Sequence, residues 1–221
     1  LILTVIQLFT DFTDMADMNN DTATILDGLL FTAANKWQMD EEQIMENMNK
    51  IAFHESKYGT DRYTPIQETS EGASTEASII PSFLGEGAIG AGTDYGEGVG
   101  RGMFQFEKGK DQGAHTAIKR LTNLLESQGA VVPDWISGLS ENEYDVSELS
   151  PEQQQILFLG NLLQKPTKSG RTPASFAGID TDEELAKYWA QHHQAGTTPG
   201  SKGEEEMISK FLKDIGYYGK V

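Results

Sequence analysis

Two segments of this chain set a hydroxyl residue three positions ahead of an amide or an acid: Ser150-Pro151-Glu152-Gln153 and Thr181-Asp182-Glu183-Glu184. That spacing lets each side chain satisfy a backbone N–H that the first turn of a helix leaves open, so it marks a helix start. Pro151 strengthens the first, because a proline at the opening helical position loses no needed donor. A third start, Asp40-Glu41-Glu42-Gln43, uses Asp40 as the cap and Gln43 as its partner. Each is followed by apolar residues three and four apart: Ile44, Met48, Ile51 and Ala52; Ile156, Leu157, Leu159 and Leu163; Leu185, Tyr188, Trp189 and His192, with Gly196 as the stop. Ala114, Ala117, Ile118, Leu121, Leu124 and Leu125 form another stripe ending near Gly129, and Met207 to Ile215 form a last one ending at Gly216. Strand signals are few and short. The predicted fold class is mostly α.

The helical reading breaks between Thr60 and Val99, where Gly, Ser, Thr and Glu dominate. Within it, Gly85 to Gly92 is too rich in glycine for a stable helix. It lacks the Gly-Lys-Ser/Thr ending of a phosphate loop, which excludes nucleotide binding there. The predicted organisation is an N-terminal helical segment, residues 1–39, followed by a main domain, residues 40–221. Residues 61–99 are then a flexible insertion or lid that holds any small β element. Leu1 to Ile6 is apolar but too short to span a bilayer, and reads as the first turns of a packed helix. The absence of an opening Met suggests a piece of a longer protein.

With no cysteine, the chain has no disulfide, thiolate nucleophile or zinc-thiolate site. A formal net charge of −17 is the wrong sign for a nucleic-acid-binding surface. Asp17, Asn19 and Asp21 have the spacing of a calcium loop, but Thr22 and Gly28 stand where that loop needs Gly and Glu. His54-Glu55 lacks the second zinc-binding His, since Tyr58 occupies its position, and His192-His193 has no third ligand at a recognisable spacing. No metal and no cofactor are predicted.

Glu55 is the residue out of place. It follows Ile44 by eleven positions, which brings it back to within about 20° of the apolar stripe. A carboxyl group desolvated there shifts toward its neutral form and becomes suited to general-acid work. The alternative is that the helix ends by Tyr58-Gly59 and Glu55 is a solvated C-terminal residue. Met103, Phe104, Gln105 and Phe106 also admit two readings, a buried strand or turn, with alternation if a strand, or the lining of a cleft.

Glu55-Ser56, Gly102-Met103-Phe104-Gln105 and His193-Gln194-Ala195-Gly196 occur in that order. Together they resemble the motif set of the lysozyme-like lytic transglycosylases that cut bacterial cell-wall glycan. That family has a Glu-Ser pair at a helix end, then a Gly-Leu-Met-Gln-type segment, then an Ala-Tyr-Asn-Ala-Gly-type segment. The resemblance spans about Asp40 to Gly196, with more than forty residues between Ser56 and Gly102 where the family usually has a short connection. His193 stands where Tyr is common, and Gln194 where Asn is.

The resemblance implies a lysozyme-like helical domain that cleaves the MurNAc-GlcNAc β-1,4 bond of peptidoglycan, with Glu55 as a single acid/base. Ser56, Met103, Gln105, His193 and Gln194 would contact or orient the substrate. It leaves open a lysozyme-type hydrolase with a second carboxylate, drawn from residues such as Asp61, Glu86, Asp94, Glu97 or Glu107. A non-catalytic virion or secretion module that keeps the fold is the other alternative. The expected setting is a bacteriophage virion protein, with peptidoglycan strands and other virion or secretion-apparatus proteins as partners. That wall polymer is itself often anionic and many wall-binding enzymes are recruited by basic patches, so the charge of −17 implies targeting from elsewhere, such as a larger assembly that delivers the domain.

Overall fold

The computed structural model describes residues 22–56, 100–107, 109, 113–141, 144–168, 171–192 and 198–219. Among them the chain is mostly helical, as its periodicity predicts. The helices are α1 (Thr22–Trp37), α2 (Glu41–Ser56), α3 (Gly113–Ser127), α4 (Asp134–Gly138), α5 (Pro151–Gln164), α6 (Asp182–His192) and α7 (Lys202–Ile215). Two two-residue strands, β1 (Gly100–Arg101) and β2 (Phe106–Glu107), pair antiparallel with Gly100 opposite Glu107 and Arg101 opposite Phe106. No described helix is long and apolar enough to cross a membrane. The Asp17-Asn19-Asp21 segment, the Leu1 to Ile6 segment, the 61–99 insertion, Gly196, His193 and Gln194 lie outside the described residues.

Helix α5 is the central element. It buries Ile156, Leu157, Phe158, Leu159, Leu162 and Leu163 because α1 and α3 both pack against it. Each fully buried side chain of this kind contributes roughly 1.5–3 kcal/mol relative to its exposed state. Phe158 stacks on Phe104, with centroids 4.1 Å apart, and so carries the core into the turn between β1 and β2. Phe176 extends it the other way, meeting Trp37 at 5.7 Å and Tyr188 at 5.2 Å. Gly160 lets α3 come close, since a Cβ built there would lie 2.5 Å from Leu121 Cδ1 and 3.1 Å from Leu121 Cβ. Helix α1, from the expected N-terminal segment, places Leu29, Leu30, Ala33 and Trp37 in this same core.

The helix starts are mostly where the sequence puts them. Ser150 and Gln153 form the reciprocal box, and Thr181 and Glu184 exchange the equivalent bonds at 3.2 and 3.0 Å. At α2 the Asp40 carbonyl accepts from the Ile44 N–H at 3.1 Å, but Gln43 turns up the helix to donate to Asn47 Oδ1 instead of closing a box. Ser201 caps α7, accepting from the Glu204 N–H at 3.2 Å, a start that the periodicity alone does not flag. Of the strand and turn readings of 103–106 the turn is found: residues 102–105 form the turn that joins β1 to β2, and Met103 and Phe104 are both buried. Period-two alternation does not apply in a turn.

Candidate active site

Three segments distant in sequence meet at the C-terminal end of α2. Helix α2 remains helical through Ser56, so Glu55 keeps the angular position its spacing predicts, and it is half-buried. Its Oε1 accepts a hydrogen bond from the indole Nε1 of Trp189 on α6 at 2.5 Å. An indole N–H can only donate, so this contact fixes Oε1 as an acceptor. The Trp189 ring is itself held on two sides, 4.3 Å from the His54 ring edge-on and 5.3 Å from Phe211 of α7. His54 Nδ1 lies 2.9 Å from Asp214 Oδ2, and both side chains are 4% exposed.

Ser56 ties this helix end to the turn. Its hydroxyl reaches the Ala52 carbonyl at 3.0 Å and the Met103 carbonyl at 2.9 Å. The Met103 N–H in turn donates to Gln154 Oε1 at 2.6 Å, and Gln154 Nε2 donates to the Leu149 carbonyl at 2.9 Å. Both ends of the Gln154 amide are thereby used to orient the turn against α5. Gly102, at φ +71°, has a backbone that side-chain-bearing residues rarely adopt, and a Cβ there would run into Gln154. Gln105 closes the turn from the left-handed region, at φ +48°, and its Nε2 donates to the Gly102 carbonyl at 2.7 Å.

The sequence-predicted residues therefore divide. Glu55, Ser56, Met103 and Gln105 are brought together. Ser56 and Met103 are fully buried, at 0% exposure, and together they join the α2 end to the turn beside Glu55. Met103 is drawn inward because its neighbours in the turn feed the Phe104–Phe158 stack. Gln105 is half-buried beside them. Sequence reasoning missed Trp189 as the partner of Glu55 and Gln154 as the clamp on the turn. A buried indole N–H needs an acceptor, and an amide on the apolar face of α5 needs partners, so both carried a signal.

The end of α6 is locked where the third motif begins. Gln191 Oε1 accepts from the Thr172 N–H at 2.8 Å, and its Nε2 donates to Glu204 Oε1 at 2.5 Å. Glu204 Oε2 accepts from the Gly200 N–H at 2.5 Å. Burial pushes the Glu204 carboxyl up, but these donors, with Lys187 and Arg171, hold it below its usual value. His192 Nε2 lies 2.8 Å from the Thr172 carbonyl, which fixes the proton on that nitrogen. Burial, aided by Lys165, Arg171 and Lys168 and opposed by that hydrogen bond, holds His192 below the usual histidine range.

Among the described residues no group of three or more His, Cys, Asp or Glu side chains is placed to hold a metal ion. An open concavity of about 510 Å³, lined by Phe31, Gln38, Met39 and Glu41 among others, lies at the opposite end of α2. At 1.5 Å per residue that is about 20 Å from Glu55, so the two are separate. No family model, curated protein or solved structure matches this chain.

Proposed function

We propose that this chain is a peptidoglycan lytic transglycosylase with a lysozyme-like helical domain, cutting the MurNAc-GlcNAc β-1,4 bond with Glu55 as its acid and base. The observation that supports it best is the 2.5 Å bond from Trp189 to Glu55 Oε1, at the point where Ser56 fastens the α2 end to the 102–105 turn. With Oε1 engaged as acceptor, Oε2 is the oxygen that carries the proton. Protonation of the glycosidic oxygen by Oε2–H breaks its bond to the muramyl anomeric carbon as oxocarbenium character develops. The resulting carboxylate then takes the proton of the muramyl 6-hydroxyl while that oxygen bonds to the anomeric carbon. The products are a 1,6-anhydro end and a free hydroxyl on the leaving sugar, with no water consumed. The setting that fits this activity is a virion protein that opens the bacterial wall locally during infection, with glycan strands as its first partner.

The test is incubation of purified sacculi with the wild type and with Glu55→Gln, followed by mass spectrometry of released muropeptides. Anhydro-ended products from the wild type alone are expected. Products heavier by one water would instead make the protein a lysozyme-type hydrolase. No release by either protein, beside a working control enzyme, would make it a non-catalytic module.

A further inference from the structure

The chain carries twice as many acidic as basic residues, 34 against 17, yet its cations are not evenly paired with acids. Five of them gather around the C-terminal ends of α5 and α6, Lys36 of α1 among them through its 2.8 Å bond to the Leu163 carbonyl. Lys165, at the end of α5, donates to the His192 carbonyl at 2.7 Å, and Arg171 donates to the neighbouring Gln191 carbonyl. Arg120 of α3 reaches across to Asn161 Oδ1 at 2.7 Å, and Lys168 is exposed beside them. Lys165, Lys168 and Arg120, like several other lysines, make no ion pair among the described residues. Capping accounts for the direct contacts of Lys165 and Arg171, because helix C-termini attract cations. It does not account for Lys168 and Arg120, which cap neither helix and add to the charge on the same spot.

We infer that Lys165, Lys168 and Arg120, beside His192, form a binding site for a carboxylate of the peptide stems carried by the wall glycan. This deepens the glycan-cleaving reading and rests on it. The cluster starts one helical turn beyond Trp189, about 4.5 Å further along α6 from the residue that holds Glu55. A strand with its scissile bond at Glu55 therefore brings its stems within reach of these side chains. The net charge of −17 repels an anionic polymer at long range, and a local cationic patch is what such a substrate needs to settle. The pKa of Lys165 bears the same mark: burial first, then the repulsion of Arg120, Lys168 and Arg171, lower it to about 8. An arriving carboxylate relieves that repulsion.

The experiment compares two probes on the full chain carrying Glu55→Gln by calorimetry at low salt: glycan strands with intact peptide stems, and the same strands with their stem carboxylates converted to neutral amides. Tighter binding of the unmodified strands, by about tenfold, is expected, with the advantage shrinking as salt is raised. Lys168→Glu, at an exposed position that folding does not depend on, is expected to abolish that advantage, and Lys165→Met to reduce it. Equal affinity for the two strands would overturn the inference and leave the glycan reading standing. An advantage that persists undiminished in Lys168→Glu and Lys165→Met would also overturn it. Binding of neither strand, to protein shown by circular dichroism to be folded, would overturn the glycan reading and the inference with it.

Discussion

Trp189 and Glu55, 134 residues apart in the chain, share a 2.5 Å hydrogen bond, and the indole that makes it is 1% exposed. A ring so enclosed cannot swing to another acceptor without opening the core. Trp189→Phe removes the donor and leaves a cavity where the second ring packed. Its expected effect is a loss of about 2–5 kcal/mol of stability, from the hydrogen bond to the carboxylate and the cavity together. If Glu55 is the acid, muropeptide release should fall by about tenfold to a hundredfold as the carboxyl loses its anchor. Urea titration and a release assay on the same preparations check the two parts separately.

Asp214 and His54 are buried together, 2.9 Å apart, so removing the carboxylate takes a close polar contact from the imidazole. Asp214→Ala is expected to cost about 1–3 kcal/mol, more than an average surface substitution. Chemical denaturation measures it directly. A cost under about 1 kcal/mol would show that the pair contributes little to holding α7 against α2.

Gly160 and Leu121 form a tight crossing between α5 and α3. Gly160→Ala should destabilise by about 1–3 kcal/mol, because the backbone or Leu121 must give way. Leu121→Ala alone should cost about 2–5 kcal/mol through the cavity it leaves. The double variant is expected to be more stable than the sum of the two losses predicts, since the added methyl occupies part of the vacated space.

Stability should depend on pH through two groups of opposite kind. Glu204 is held below its unfolded value of 4.5, so its contribution is present above that pH and is lost as acid carries the solution down through the folded pKa. Lys165 is lowered to about 8 from 10.5, so between those values the unfolded chain binds the extra proton. Its charged form is a burden on the fold, and stability attributable to Lys165 rises with pH across that window. Comparing wild type with Glu204→Gln at pH 3 and 6, and with Lys165→Met at pH 7.5 and 9.5, isolates each contribution.

The helical class, the caps at Ser150 and Thr181, and the apolar stripes of α2, α3, α5 and α6 were legible in the sequence because they depend on neighbours three and four residues away. So was the angular position of Glu55, which follows from helix geometry alone. The partner of Glu55 was not legible, because nothing local ties residue 55 to residue 189. The turn at 102–105 read equally well as a strand. What decided it was Gln154, from a helix fifty residues on, meeting the Met103 N–H, together with the stacking of Phe104 on Phe158. Tertiary packing also set the exposure of the expected site residues, enclosing Ser56 and Met103 and leaving Glu55 and Gln105 half-buried. The overall charge could not reveal the cationic cluster at the ends of α5 and α6, since a sum over the chain says nothing of where the charges meet. Periodicity and capping act over one turn of helix and are written in sequence, whereas hydrogen bonds and charges between distant elements exist only once the core has brought them together.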